Sequence, residues 1–297
     1  MKKLLLVINP RAGMRRANRH LTDIVEIFNR AQYDVTVYVT QFQGDAQTVT
    51  AQRAKEFDLV VCCGGDGTFN ETVSGLLTSG ADVPMGYIPA GSTNDFANSL
   101  GLPGNILDCA RRIVSGSPAP YDIGKFNGRF FSYVASFGAF TRTSYTTPQS
   151  VKNALGHTAY LLSGIQELSQ IHTEHAQLKL DGKLVEDDFL FGAICNSTSL
   201  GGVVTLDPKQ VDLRDGKFEV LLVRAPKDLA EVAECIQAVQ KQQYNCKMIT
   251  FQSAQHIEIH ARADMSWTLD GEHCSGSDHI EVENLYHAIN LITEAVC

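Results

Sequence analysis

The sequence predicts an α/β protein in two parts, an N-terminal parallel α/β domain followed by a C-terminal antiparallel β-sandwich domain. Three observations predict it. Over the first 120 residues, short continuous apolar runs alternate with stretches of helical spacing, as when strands buried on both faces are separated by helices. Glycine-rich loops follow three of those runs, at the strand ends where such sheets bind ligands. From Tyr121 the texture turns to short strand-like segments punctuated by Asp-Gly turns, which is hairpin sequence.

The elements follow in order. Leu4–Ile8 is a continuous apolar run, and Ala17, Leu21, Ile24, Val25 and Phe28 recur at helical spacing. Val35–Val39 alternates, Leu59–Cys63 is a second continuous run, a helix runs from about Thr68 to Leu77, and Val83–Ile88 is the next strand. Ser, Gly and Pro cluster near Pro118–Asp122, which sets the expected domains at 1–120 and 121–285. Beyond it, Arg129–Phe137, Gln177–Leu180, Asp188–Cys195, Lys217–Val223, Gln255–His260 and His279–Val282 read as strands. Asp181-Gly182, Asp215-Gly216 and Asp270-Gly271 read as turns, and Pro148–Gln170 and Lys227–Gln240 as helices.

The composition narrows the function. With 297 residues, 44% of them hydrophobic, the chain can build two cores. A net charge of −8 excludes broad nucleic-acid binding, which needs a basic face, and tight adsorption to an anionic membrane. Eight cysteines without a C-x-x-C pair read as free thiols in a reducing compartment. The N-terminal apolar run, Leu4–Ile8, is too short for a signal peptide, and no stretch reaches the length of a membrane span. The expected localisation is cytoplasmic.

Gly64-Gly65-Asp66-Gly67-Thr68 is the strongest local motif, placed directly between a strand and a helix. Its glycines let the backbone approach a phosphate, and the helix aims free N–H groups and its positive dipole end at the anion. Asp66 adds a carboxylate suited to Mg²⁺ or a substrate proton; the plainer alternative is that it caps the helix. Asn9-Pro10-Arg11-Ala12-Gly13 forms a second donor-rich turn, in which Asn9 and Gly13 are candidates for cradling a nucleotide. Arg15, Arg16 and Arg19 oppose the dipole of the next helix, which suits an anionic ligand or headgroup nearby or a solvated face.

In Gly91-Ser92-Thr93-Asn94-Asp95, the two hydroxyls can bond phosphate, and Asn94 or Asp95 can reach a hydroxyl or metal or cap a helix. Leu269-Asp270-Gly271-Glu272 reads as a hairpin turn whose carboxylate can accept a hydroxyl proton. The acidic turn Asp212–Lys217 can hold a hard cation through Asp215 and backbone carbonyls, or be a hairpin turn alone. His172, His175 and the His273-Cys274 pair lack the spacing of a zinc site.

Taken together, these motifs resemble the diacylglycerol kinase catalytic family, especially its single-chain bacterial lipid kinases. NPRAG is similar to the family's NPxxG, GGDGTFNETVSGL to its GGDGTxNEVxNGL, and PAGSTNDFANSLGLP to its third signature, with Ser92 in place of the usual threonine. YDIGKFNGRFFSYVASFGAF, LDPKQVDLRDGKFEV and LDGE carry the likeness through the second half. The resemblance implies a Rossmann-like first domain, to which residues of about 286–297 return, and a β-sandwich substrate domain. It implies ATP contacts from Thr40, from Gly64, Gly65, Asp66, Gly67, Thr68, Phe69 and Asn70, and from Ser92. It further implies Glu272 as proton acceptor with Asp270 beside it, Asp122 as an acidic group near the site, and a structural Mg²⁺ held by Asp212, Asp215 and Lys217.

The expected activity is ATP- and Mg²⁺-dependent, in-line phosphoryl transfer to a lipid alcohol, such as diacylglycerol to phosphatidic acid, in the cleft between the domains. The protein is expected to visit a membrane surface transiently from the water side, with homodimerisation left open. The rivals are a kinase like that for NAD, which also uses GGDGT, and an inactive nucleotide sensor. GSTND followed by FANSLGLP disfavours the first, and intact Asp66, Asp270 and Glu272 disfavour the second.

Overall fold

The computed structural model describes residues 1–138, 173–200, 204–244 and 246–294. The expected helix Pro148–Gln170, along with His172 and Cys297, lies outside the described residues. The chain forms two compact units, Met1–Ile123 with Leu285–Cys297, and Gly124–Asn284.

A parallel sheet organises the first unit. β1 (Lys2–Ile8) lies between β2 (Tyr33–Val39) and β3 (Leu59–Gly64), and β3 pairs with β4 (Met85–Pro89). The end of the last strand completes it, Leu291 and Ile292 pairing parallel with Met85 and Gly86. β1 and β3 read as unbroken apolar runs because helices cover both faces of the sheet. Those helices are α1 (Arg16–Arg19), α2 (Leu21–Arg30), α3 (Asp45–Arg53), α4 (Asp66–Ser79), α5 (Asp95–Ser99) and α6 (Ile106–Ser115). Ile24 and Phe28 of α2, with Cys109 and Ile113 of α6, pack on Leu4, Leu6, Ile8, Val61 and Cys63, while α3 and α4 pack on each other.

Antiparallel strands build the second unit. β5 (Ser117–Phe126) carries the chain into it and pairs with β6 (Arg129–Phe131) across Asn127-Gly128, both at positive φ. β7 (Val134–Gly138) follows, then β8 (Glu174–Leu180) and β9 (Lys183–Cys195), joined by the expected Asp181-Gly182 turn with φ of 47° and 88°. β9 serves both layers. Its first half pairs with β8, and its second half with β7 and β12 (Phe218–Arg224). A small separate ladder joins β10 (Ser199–Leu200) to β11 (Val204–Thr205), and α7 (Leu229–Gln240) follows β12.

β13 (Ile249–Ala254) extends one layer from β12; in the other, β14 (His256–Ala261) sits between β8 and β17 (His279–Glu294). β15 (Trp267–Leu269) links β7 to β16 (Glu272–Cys274). Trp267 is fully buried in the sandwich core, its ring 4.9 Å from that of Phe126 and 4.8 Å from that of Phe137.

Some expectations shift. Arg129–Phe137 is two strands, because the backbone of Ser132 and Tyr133 turns to serve a carboxylate. Asp215-Gly216 is not a hairpin turn, since no strand immediately before it pairs with β12; the Asp215 carboxylate instead accepts the Lys217 amide at 2.9 Å.

Candidate functional site

The carboxyl ends of β1, β3 and β4 bring the three glycine-rich loops together. Backbone bonds continue the sheet to its rim: the amide of Asn9 donates to the Cys63 carbonyl at 2.9 Å and that of Ala90 to the Gly64 carbonyl at 2.8 Å. Above the rim the loops interlock. The Asn9 side-chain amide donates to Thr68 Oγ1 at 2.9 Å, tying the first loop to the second. Gly13, at φ +48°, lies so close to the third loop that a Cβ there would stand 2.0 Å from the Ala90 carbonyl oxygen. A Cβ on Gly91 would meet the Gly65 Cα at 2.6 Å. Glycine is thus required where these backbones cross.

This nest surrounds the N-terminus of α4. Gly65 is its N-cap, in extended backbone, and as a glycine it brings no side chain of its own to the cap. The first-turn amides and the positive end of the dipole therefore face the loops, an arrangement suited to phosphate.

The side chains divide their work differently from the sequence expectation. Asp66 does not cap its own helix; its carboxylate accepts the amides of Asp95 at 3.2 Å and Phe96 at 3.4 Å, capping α5 instead. Its carboxylate oxygens are hard donors of the kind that suit a divalent cation. Phe69 is a correction. Its ring is fully buried against Tyr87 at 4.5 Å and Phe96 at 5.0 Å, and its amide bonds the Gly65 carbonyl, so it braces the loop from behind. Asn94, in left-handed backbone, turns its side chain back to Gly91, accepting from that amide at 2.9 Å. Asp95 is buried, while Ser92 and Thr93 are exposed at the rim. Asn70 accepts a long bond from the Ser74 hydroxyl. Arg11 and Arg19 are exposed, and the side chains of Arg15 and Arg16 lie outside what the structure describes.

Thr40 follows β2 directly, with its amide on the Ile8 carbonyl at 2.9 Å, just before Asn9. The loop after it is held by two residues that sequence reasoning missed. Asp45 accepts from the Gln41 amide at 2.7 Å and the Tyr38 hydroxyl at 2.9 Å. Glu71 accepts the amides of Gly44 at 2.8 Å and Ala46 at 3.3 Å, so α4 carries the cap of α3. Behind the nest, burial pushes the Cys63 thiol up to about 12 and that of Cys62 higher still, so neither serves as a nucleophile. Fully buried Asp122, on β5 in this same unit, accepts the amide of His287, which sits at φ +53°.

In the second unit, Asp270 and Glu272 bracket the tight turn between β15 and β16. Asp270, at φ +49° and buried, accepts the amides of Ser132, Tyr133 and Val134 at 2.5, 2.9 and 3.0 Å. It is thereby a scaffold for the β6–β7 connection. Glu272 is half-buried at the start of β16.

Asp212 and Asp215 are exposed on their turn, accepting the amides of Arg214 and Lys217, and the Lys217 carbonyl accepts from Asn284 at 3.0 Å. Nearby Glu219 is buried, and desolvation, followed by the negative charge of Asp215, pushes its carboxyl up to about 8. Oxygen donors beside surplus negative charge fit a hard divalent cation. Among the described residues, no group of three or more His, Cys, Asp or Glu side chains stands ready for a metal, so such an ion here would depend on carbonyls and water as well.

Two family profiles cover the chain: the diacylglycerol kinase catalytic domain matches residues 3–126, and the YegS C-terminal NAD kinase beta sandwich-like domain matches residues 134–293. A diacylglycerol kinase of Bacillus subtilis (strain 168) is 32% identical over 98% of this chain and 96% of its own. One of Staphylococcus aureus (strain bovine RF122 / ET3-1) is 30% identical over 92% and 86%. A crystal structure of a diacylglycerol kinase from Bacillus anthracis str. Sterne matches with a TM-score of 0.77 at 25% identity, over 99% of this chain and 98% of that one. A second structure from that strain reaches 0.82 at 28%, over 99% and 97%.

Proposed function

The chain belongs to the diacylglycerol kinase family, and from that premise we propose that it is a lipid kinase, a phosphotransferase moving the γ-phosphoryl group of ATP to the hydroxyl of diacylglycerol or a related lipid alcohol. The observation that carries the reading is the N-terminus of α4, opened by a glycine and ringed by three interlocked glycine loops on one sheet edge.

In the mechanism, the amides of Gly65, Asp66, Gly67 and Thr68 bind phosphate oxygens, and Ser92 and Thr93 add hydroxyl donors from the rim. The lipid hydroxyl oxygen forms the new bond to the γ-phosphorus as the bond to the β–γ bridging oxygen breaks. Glu272 takes the hydroxyl proton, while Asp270 holds the turn that presents it. Magnesium, when bound, supplies neutralisation of phosphate charge, with Asp66 as its carboxylate in the first unit; a second, structural ion fits Asp212, Asp215 and the Lys217 carbonyl. The lipid acceptor is met by contact with a membrane surface; among the described residues no helix is long and apolar enough to cross a membrane.

The test is transfer of label from [γ-³²P]ATP into mixed micelles holding diacylglycerol and other lipid alcohols, with wild type and Glu272→Ala. Label in one lipid, lost in the variant, is expected. Label in NAD alone would replace this reading with a nucleotide kinase, and ATP binding without single-turnover transfer would replace it with a sensor.

A further inference from the structure

The β2–α3 loop carries an aromatic ring on a rigid mount. Phe42 is 67% exposed, one of few large apolar side chains that the described residues leave in water. Yet its loop is fixed on both sides. Before it, the Thr40 amide is held by the Ile8 carbonyl; around it, Asp45 takes the Gln41 amide, and Glu71 takes the amides of Gly44 and Ala46. Glu71 stands one helical turn beyond Thr68 on α4, so the ring is tied to the helix whose N-terminus faces the glycine loops. Mobile loops pay the cost of ordering when a ligand arrives; this one meets it on folding.

Resting on the reading of the first unit as an ATP site, we propose that Phe42 is the platform on which the nucleotide base stacks. The loop starts at the carboxyl end of β2, the edge where the glycine loops of β1, β3 and β4 gather. One planar ring, held in place and open to water, matches one face of one base. Half-exposed Val39 is the other large apolar side chain left in water on that stretch of chain, a patch much smaller than those that dock proteins or membranes. Stacking reads the width of a π-face and not the pattern of a base edge. The site therefore prefers purine over pyrimidine nucleotides and separates adenine from guanine weakly through this residue.

The experiment is titration calorimetry of the full chain, wild type, Phe42→Ala and Phe42→Trp, with ATP and with inorganic tripolyphosphate. Phe42→Ala is expected to weaken ATP by about tenfold or more and to leave tripolyphosphate within about twofold. In Phe42→Trp, ATP affinity is kept, and the new indole is quenched by ATP and not by tripolyphosphate; the native Trp267 is buried in the second unit. Wild-type ATP affinity in Phe42→Ala, or equal loss of both ligands, overturns the platform and leaves the ATP site standing. A wild type that binds neither ligand overturns both. Loss of binding to phosphatidylcholine–phosphatidylglycerol vesicles with ATP affinity intact would assign the ring to the membrane instead.

Discussion

Asp270 and Glu272 stand two residues apart, and in the sequence nothing but the resemblance separates their duties. The three amides on Asp270 do separate them. Asp270→Ala strands three backbone donors and should lower the urea-unfolding free energy by roughly 3 kcal/mol or more, with Asp270→Asn in between. Glu272→Ala should abolish transfer while far-ultraviolet dichroism stays native. Glu219 makes a different prediction. Its carboxyl, ordinarily near 4.5, is raised to about 8, so the folded state holds a proton that the unfolded state releases between those values. Stability must then fall as pH rises through that window. In EDTA, wild type should lose up to roughly 4 kcal/mol relative to Glu219→Gln between about pH 5 and pH 9; equal slopes for the two proteins would rule it out. The sequence showed the acidic turn but not this buried partner, because a strand Glu looks solvated until its neighbours are known. Phe69 failed in the opposite direction: its place in GGDGTFN suggested ligand contact, and its ring belongs to the core.

Whole elements were legible where glycine or periodicity marks them. The three loops announce themselves because their backbones approach too closely for a Cβ. Gly13→Ala, which combines that clash with a positive φ, should weaken ATP at least tenfold while far-ultraviolet dichroism stays native; unchanged affinity would mean the interlock does not shape the site. α6 carries Ile106, Cys109, Ala110 and Ile113 at helical spacing, and Asn127-Gly128 is a strong hairpin signal, so both could have been found. α3 could not. Its DAQTVTAQR has no broad apolar stripe, and it is started from outside by Glu71 of α4. That carboxylate, about one turn past the glycine motif, looks from the sequence like a solvated helix residue.

At the scale of the molecule, continuous apolar runs gave the parallel sheet and Asp-Gly turns the antiparallel layers, since strand burial on two faces or one leaves different periods. Periodicity did not show β17 serving two units. His256–His260 pair with its first part, whereas Leu291 and Ile292 join β4 at the far end, with Ile289 also buried. A chain ended after Asn284 keeps every glycine loop yet loses these three buried side chains, roughly 5 kcal/mol of burial, comparable to the whole stability of a domain. It should bind no ATP in calorimetry, and native-like binding would show that the loops stand without the last strand. The same arrangement sets an order of events during synthesis. The ribosome delivers the nucleotide loops before the strand that closes their sheet, with the entire second unit translated in between. The first unit of a nascent chain therefore remains unfinished until that strand emerges, and quality-control proteases can tell a product interrupted before it from one that contains it by the state of that unit.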